Sequence, residues 1–131
     1  MKIQQSTLNK ILEHSKRELP YEACGYLAEK NGIVCKHYEM TNMDKAADHF
    51  TMDPKEQFAA IKEMRNQGVT LAAVYHSHPE TPARPSVEDI RLAHDPAISY
   101  VIVSLADDKT EVKSFKITNG EVNHEPIEAV D

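Results

Sequence analysis

Twenty residues near the middle of the chain, LAAVYHSHPETPARPSVEDI (71–90), constrain its fold more than any other stretch. LAAVYHSH is a largely apolar run whose first half reads as a buried strand, because strands covered on both faces lose the polar half of their alternation. Pro79, Pro82 and Pro85 follow, each fixing φ and removing a backbone donor. Ser86 then suits a helix N-cap, which puts Asp89 at the third helical position. The chain must therefore run from strand through a stiff loop into a helix within this one segment.

Side chains alternate along a strand, so His76 and His78 face the same side about 7 Å apart at the backbone, with Ser77 facing the other way. Two imidazoles so placed can converge on one cation at roughly 2.0–2.1 Å. Asp89 has two readings. As helix chemistry it completes a capping box with Ser86; as metal chemistry it is a third ligand, kept ionised by the helix N-terminus. Two histidines and a carboxylate would leave a fourth tetrahedral position for water, the pattern of catalytic rather than structural zinc. The prolines lower the entropy cost of returning Asp89 to the strand end, and would equally suit a purely structural loop.

Elsewhere, a helix is predicted from about Thr7 to Glu18, with Ser6 as N-cap and Leu8, Ile11, Leu12 and Leu19 at helical spacing; Pro20 ends it. ACGYLAEK and IVCKHYEM flank Asn31-Gly32, a pair suited to a type I′ hairpin because both positions want positive φ. ADHFTM is expected as a short strand. Asp53-Pro54-Lys55-Glu56 reads as a helix start in which Asp53 caps, Pro54 opens the first turn and Glu56 closes a capping box. Phe58, Ala59, Ile61 and Met64 are expected to form its apolar stripe, and Gly68 its end. A short helix from Val87 to about His94 precedes a second buried strand, SYVIVSL, then EVKSFKIT and a hairpin at Asn119-Gly120. This order predicts one α/β domain over residues 1–131, a mixed, largely antiparallel sheet sandwiched by α-helices.

His76-Ser77-His78, seven residues, Ser86, two residues and Asp89 reproduce the signature of the JAMM (MPN+) zinc metallopeptidases. PYEACGYL resembles that family's glutamate-bearing segment, and the likeness runs from roughly Leu8 to Ile117. The resemblance implies a JAMM/MPN, cytidine-deaminase-like fold with one zinc held by His76, His78 and Asp89. It implies that Glu22 hydrogen-bonds the water at the metal, acting as general base and then general acid, and that Ser86 stabilises the oxyanion. Nothing in composition or spacing selects Glu22; that role comes from the likeness alone. With no long insertion beside the cleft, the chain resembles the compact, stand-alone prokaryotic branch. Some members of it release cysteine from a ubiquitin-like sulfur-carrier adduct or trim residues beyond the carrier's Gly-Gly tail. Such a tail is expected to lie extended beside an exposed strand edge. The alternatives are a non-catalytic module that docks ubiquitin-like partners, and a JAMM branch associated with DNA repair.

Charge bears on those alternatives. A net charge of −6 without any basic run argues against nucleic-acid and anionic-membrane partners. No segment approaches ~18 continuous apolar residues and no apolar signal stretch opens the chain, so a soluble, cytoplasmic protein is expected. Cys24 and Cys35 are expected to be reduced, structural thiols. Arg84 is read as a solvated arginine at the cleft rim, and His94 as meeting the C-terminal dipole of its helix.

Overall fold

The computed structural model describes residues 1–131. In chain order the elements are β1 (Lys2–Gln4), α1 (Gln5–Arg17), β2 (Cys24–Lys30), β3 (Ile33–Met40), α2 (Pro54–Gln67), β4 (Thr70–His78), α3 (Val87–Leu92), β5 (Ser99–Ser104), β6 (Glu111–Thr118), β7 (Glu121–Glu125) and β8 (Glu128–Val130). All eight strands join one sheet in the order β7-β6-β5-β4-β2-β3-β1-β8. Four pairings are antiparallel, and β1 with β3, β1 with β8 and β4 with β5 are parallel. The expected mixed, largely antiparallel sheet is therefore present.

The two outermost strands, β7 and β8, are consecutive in sequence, joined only by Pro126 and Ile127. A flat sheet of eight strands would hold its edges far apart, since neighbouring strands are spaced by about 4.8 Å. The sheet accordingly curls until its edges meet. Met1, which leads into β1, reaches across: its ammonium donates to the Pro126 carbonyl at 2.7 Å and lies 3.9 Å from Glu125 Oε2, while Glu125 Oε1 accepts from the Ser99 and Ser114 hydroxyls of β5 and β6, each at 2.7 Å.

Alternation divides the sheet into two faces. Leu27, Ala73, Tyr75, Val101 and Val103 pack with Ile11 beneath α1. Cys24, Tyr26 and Ala28 point the other way, against Ala60 and Met64 of α2. On that second face Ala83, Ile102, Phe115 and Ile117 pack with Ile90 and Ala93 near α3. Helices thus cover both faces, as the apolar runs of β4 and β5 require. No helix is long and apolar enough to cross a membrane.

Asn31-Gly32 and Asn119-Gly120 hold positive φ at both positions (55° and 79°, 50° and 81°), and Gly68 ends α2 at φ 68°. Four local expectations differ. The first helix starts at Gln5 with no side-chain cap, because residues 2–4 are drawn into the sheet as β1 and Ser6 falls inside the first turn. ADHFTM forms no strand; a single bridge, Asn42 to Met52, closes an irregular loop instead. Asp53 caps α2 by accepting from the Lys55 amide at 2.9 Å, but Glu56 turns away to accept from the Thr41 amide (2.8 Å) and hydroxyl (3.0 Å), so no capping box closes. That anchor turns Ala60 and Met64 inward and leaves Ala59 exposed and Phe58 74% exposed.

Candidate metal centre and active site

The site forms where β4 ends. His76 and His78 emerge on the α2 face and are almost fully buried, while Ser77 is buried on the opposite side. The Ser77 hydroxyl accepts from the Ala23 amide at 2.7 Å, and the Ser77 amide donates to the Ala23 carbonyl at 3.0 Å. These two bonds extend by one residue the antiparallel register that sets Cys24 opposite His76, and Glu22 follows next, near enough to His78 and Asp89 for their charges to act on it.

The proline loop then returns the chain. His78 Nδ1 donates to the Pro82 carbonyl at 2.9 Å, and the Ser104 hydroxyl holds the Thr81 carbonyl at 2.7 Å. A carbonyl can only accept, so the proton of His78 sits on Nδ1 and the Nε2 lone pair faces the site. The α3 cap is reciprocal: Ser86 Oγ accepts from the Asp89 amide at 3.0 Å and Asp89 Oδ2 accepts from the Ser86 amide at 2.9 Å. The same Asp89 Oδ2 lies 3.1 Å from both His76 Nε2 and His78 Nε2, which are 3.1 Å from each other. The two readings of Asp89 are therefore one arrangement.

This donor set fits a cation. Ligands at roughly 2.0–2.1 Å from a tetrahedral centre lie about 3.3 Å apart, close to the triangle found here. Burial alone would raise the Asp89 carboxyl, but the His76 and His78 imidazoles beside it, with the Ser86 amide, hold it well below the usual carboxylate range. It is therefore ionised, the form in which a carboxylate ligates. The ring of Phe50 lies against His76 at 4.9 Å.

Glu22 is 3% exposed, and its Oε1 has no hydrogen-bond partner. Burial pushes its carboxyl up to about 8; His78 opposes this and the Asp89 charge adds to it. A carboxyl poised near neutrality can both take and give a proton. Beside the triangle a cavity of about 280 Å³ opens between α2 and α3, bounded by His76, Asp89, Tyr26, Phe50, Leu92 and Tyr100.

The structure thus brings His76, His78 and Asp89 together, with Ser86 at the exposed rim and Glu22 near enough to feel the charges of His78 and Asp89. His94 lies beyond the end of α3, which stops at Leu92, and lines the cavity instead of capping the helix. Arg84 is exposed in the proline loop, and Cys24 and Cys35 are free. The expected exposed strand edge is not beside the histidines, because β4 is paired with β2 on one side and β5 on the other. Sequence reasoning missed Ser77, Phe50 and Asn42. Only Ser77 had a local signal, as the outward-turned residue of the His-Ser-His alternation.

Residues 4–118 match the family described as prokaryotic homologs of the JAB domain. The CysO-cysteine peptidase of Mycobacterium tuberculosis is 34% identical over 132 residues, covering 98% of this chain and 90% of that protein. A probable TtuB-protein conjugate cleaving protease of Thermus thermophilus is 31% identical over 101 residues, covering 76% and 67%. Among solved structures, protein DSY2949 of Desulfitobacterium hafniense superposes with a TM-score of 0.90 at 41% identity, covering 99% of this chain and 92% of that one.

Proposed function

The chain belongs to the family of prokaryotic homologs of the JAB domain, and from that membership we propose that it is a zinc-dependent peptidase. Its substrate is the amide after the C-terminal glycine of a ubiquitin-like or sulfur-carrier protein, cleaved to release cysteine from a carrier–cysteine adduct or to trim the carrier's tail. The observation that carries this reading is the triangle of His76, His78 and Asp89 beside a buried, unpartnered Glu22 carboxyl. The names of two relatives, a CysO-cysteine peptidase and a TtuB-protein conjugate cleaving protease, support the substrate class.

His76 Nε2, His78 Nε2 and Asp89 Oδ2 would hold the ion. Bound there, zinc supplies Lewis-acid polarisation of the scissile carbonyl and lowers the pKa of water toward ~7. Glu22 takes a proton from the attacking water and delivers it to the departing amine. Its burial matters for both halves, since a carboxyl with an ordinary pKa would be a poor acid at neutral pH. Ser86 Oγ accepts from the Asp89 amide, so its own proton remains available to the oxyanion of the tetrahedral intermediate. The Pro82 carbonyl keeps the His78 ring in its ligating tautomer.

The test is incubation of the purified protein with a sulfur-carrier protein bearing one cysteine beyond its terminal glycine, followed by mass spectrometry. Loss of that cysteine, abolished by a chelator and by Glu22→Gln and restored by zinc, is the expected result. Absence of chelator-sensitive cleavage on any tailed ubiquitin-like protein would instead identify a docking module.

A further inference from the structure

The Glu22 carboxyl has no side-chain partner to aim it, so its position is set through its main chain. Downstream, Ser77 clamps Ala23 by two hydrogen bonds. Upstream the chain is a turn, with Tyr21 exposed and its amide bonded only back to the Glu18 carbonyl at 2.9 Å. What fixes this side comes from the loop between β3 and α2. The Glu22 amide donates to the Ala46 carbonyl at 2.8 Å, and Asn42 Nδ2 donates to the Glu22 carbonyl at 3.1 Å.

Asn42 is itself 4% exposed and fully engaged. Its Nδ2 also reaches the carbonyls of His49 (3.0 Å) and Ala46 (3.4 Å), and its Oδ1 accepts from the amides of Asp44 (3.1 Å) and Thr51 (3.3 Å). One amide group therefore ties both ends of the 42–52 loop to the backbone of Glu22. Phe50, which lies on the His76 ring, belongs to the same loop. No hydrogen bond of Asn42 goes to a member of the His76, His78 and Asp89 triangle.

We propose that Asn42 is a positioning residue for Glu22, aligning the proton carrier by fixing its main chain from the loop side while leaving metal binding to other elements. This rests on the assignment of Glu22 as proton carrier. Only a group with both donor and acceptor ends fits here: aspartate would turn an anion toward the three carbonyls, and alanine would strip the Glu22 and His49 carbonyls and the Asp44 and Thr51 amides of this partner, the Ala46 carbonyl alone keeping the Glu22 amide. A displacement of about 1 Å at a reacting group costs on the order of 10²-fold in rate.

The experiment compares wild type, Asn42→Ala and a control, Thr51→Val, which removes only the Thr51 hydroxyl bond to Asp44. Asn42→Ala is expected to lower kcat by roughly 10–100-fold on the carrier–cysteine substrate, with KM within about 2-fold and zinc content unchanged. Amide hydrogen exchange at Glu22 in the metal-free protein should quicken by about tenfold or more, while β5 amides stay unaffected. Thr51→Val should leave kcat within about 2-fold. A folded Asn42→Ala that keeps its kcat, or whose Glu22 amide exchanges as before, overturns the proposal.

Should Asn42→Ala fail to fold, wild-type exchange decides. The Glu22 amide sits on the Ala46 carbonyl that Asn42 Nδ2 also reaches, and the Thr51 amide on Asn42 Oδ1, so the two should open together, and a Glu22 amide about tenfold or more slower than Thr51 overturns the link. If Glu22→Gln cleaves at the wild-type rate, the proton-carrying assignment falls. The exchange data then still decide whether Asn42 holds Glu22.

Discussion

The two faces of β4 carry alternate residues of the same strand and do opposite things. Ala73, Tyr75 and Ser77 point toward the α1 side, where every one is fully buried. Tyr75 is packed so tightly there that a Cβ on Gly25 would overlap its ring and the Tyr38 carbonyl, and its hydroxyl shares a 2.7 Å hydrogen bond with His14 Nδ1. Val74 and His76 point the other way, into a cavity beside Asp89. On that face polar atoms are buried at a cost, with Glu22 Oε1 left unmatched. A period of two thus separates cohesion from reactivity within one strand, and substitutions on the two sides should fail differently.

The largest expected effect lies on the reactive face. Glu22→Gln should cut carrier cleavage by at least about 10³-fold while retaining zinc and an undiminished unfolding midpoint. Residual activity above about one-tenth of wild type would break the contrast. Ser86→Ala should slow cleavage by ~10²–10³-fold with the metal still bound, and metal analysis of the variant checks the second half. Loss of zinc would mean that Ser86 acts only by placing Asp89.

On the cohesive face Gly25→Ala should behave inversely. Denaturant unfolding should show a loss of ~1–3 kcal/mol from overpacking against Tyr75, while the folded fraction keeps kcat within about 2-fold. A large kcat defect in well-folded protein would show that the faces are mechanically coupled.

The smallest effect is a slope with pH. Because the folded Glu22 carboxyl is raised from 4.5 to about 8, metal-free native protein binds more protons than unfolded chain between those values. Its contribution to stability is present below pH 4.5 and is lost as pH rises through 8. Unfolding midpoints of metal-free wild type should therefore fall from pH 5 to pH 8 more steeply than those of Glu22→Gln. Equal slopes would place the Glu22 carboxyl in contact with water.

The same division explains what could be read from residues alone. The strand alternation and the helix cap are local rules, and together they bring His76, His78 and Asp89 to one point. Glu22 is legible only through likeness to a family, since its place near His78 depends on the register of β2 against β4, strands far apart in sequence. Asn42 gave no signal, because its bonds run to an irregular loop that looked like a strand. The apolar stripe of α2 was misplaced for a related reason: the Glu56 bonds to Thr41, a tertiary contact, set the helix's rotation and left Phe58 outside. Turn chemistry at Asn31-Gly32 and Asn119-Gly120 was legible because two adjacent residues decide it.

The pairing of β1 with β8 at one end of the sheet also has a kinetic side. Closing β1 against β8 pairs Lys2 with Glu128, so almost the whole chain must be gathered before that contact forms. Long-range closures of this kind add entropy cost early and reward late, which places the β1–β8 pairing at the end of assembly. Its strands are short, three residues each in β1 and β8, and belong to the part of the structure that opens most cheaply. β4 and β2 sit in the middle of the sheet, away from that zipper. The strands β2 and β4 can therefore be complete before β1 and β8 pair, and stay complete when that pairing opens.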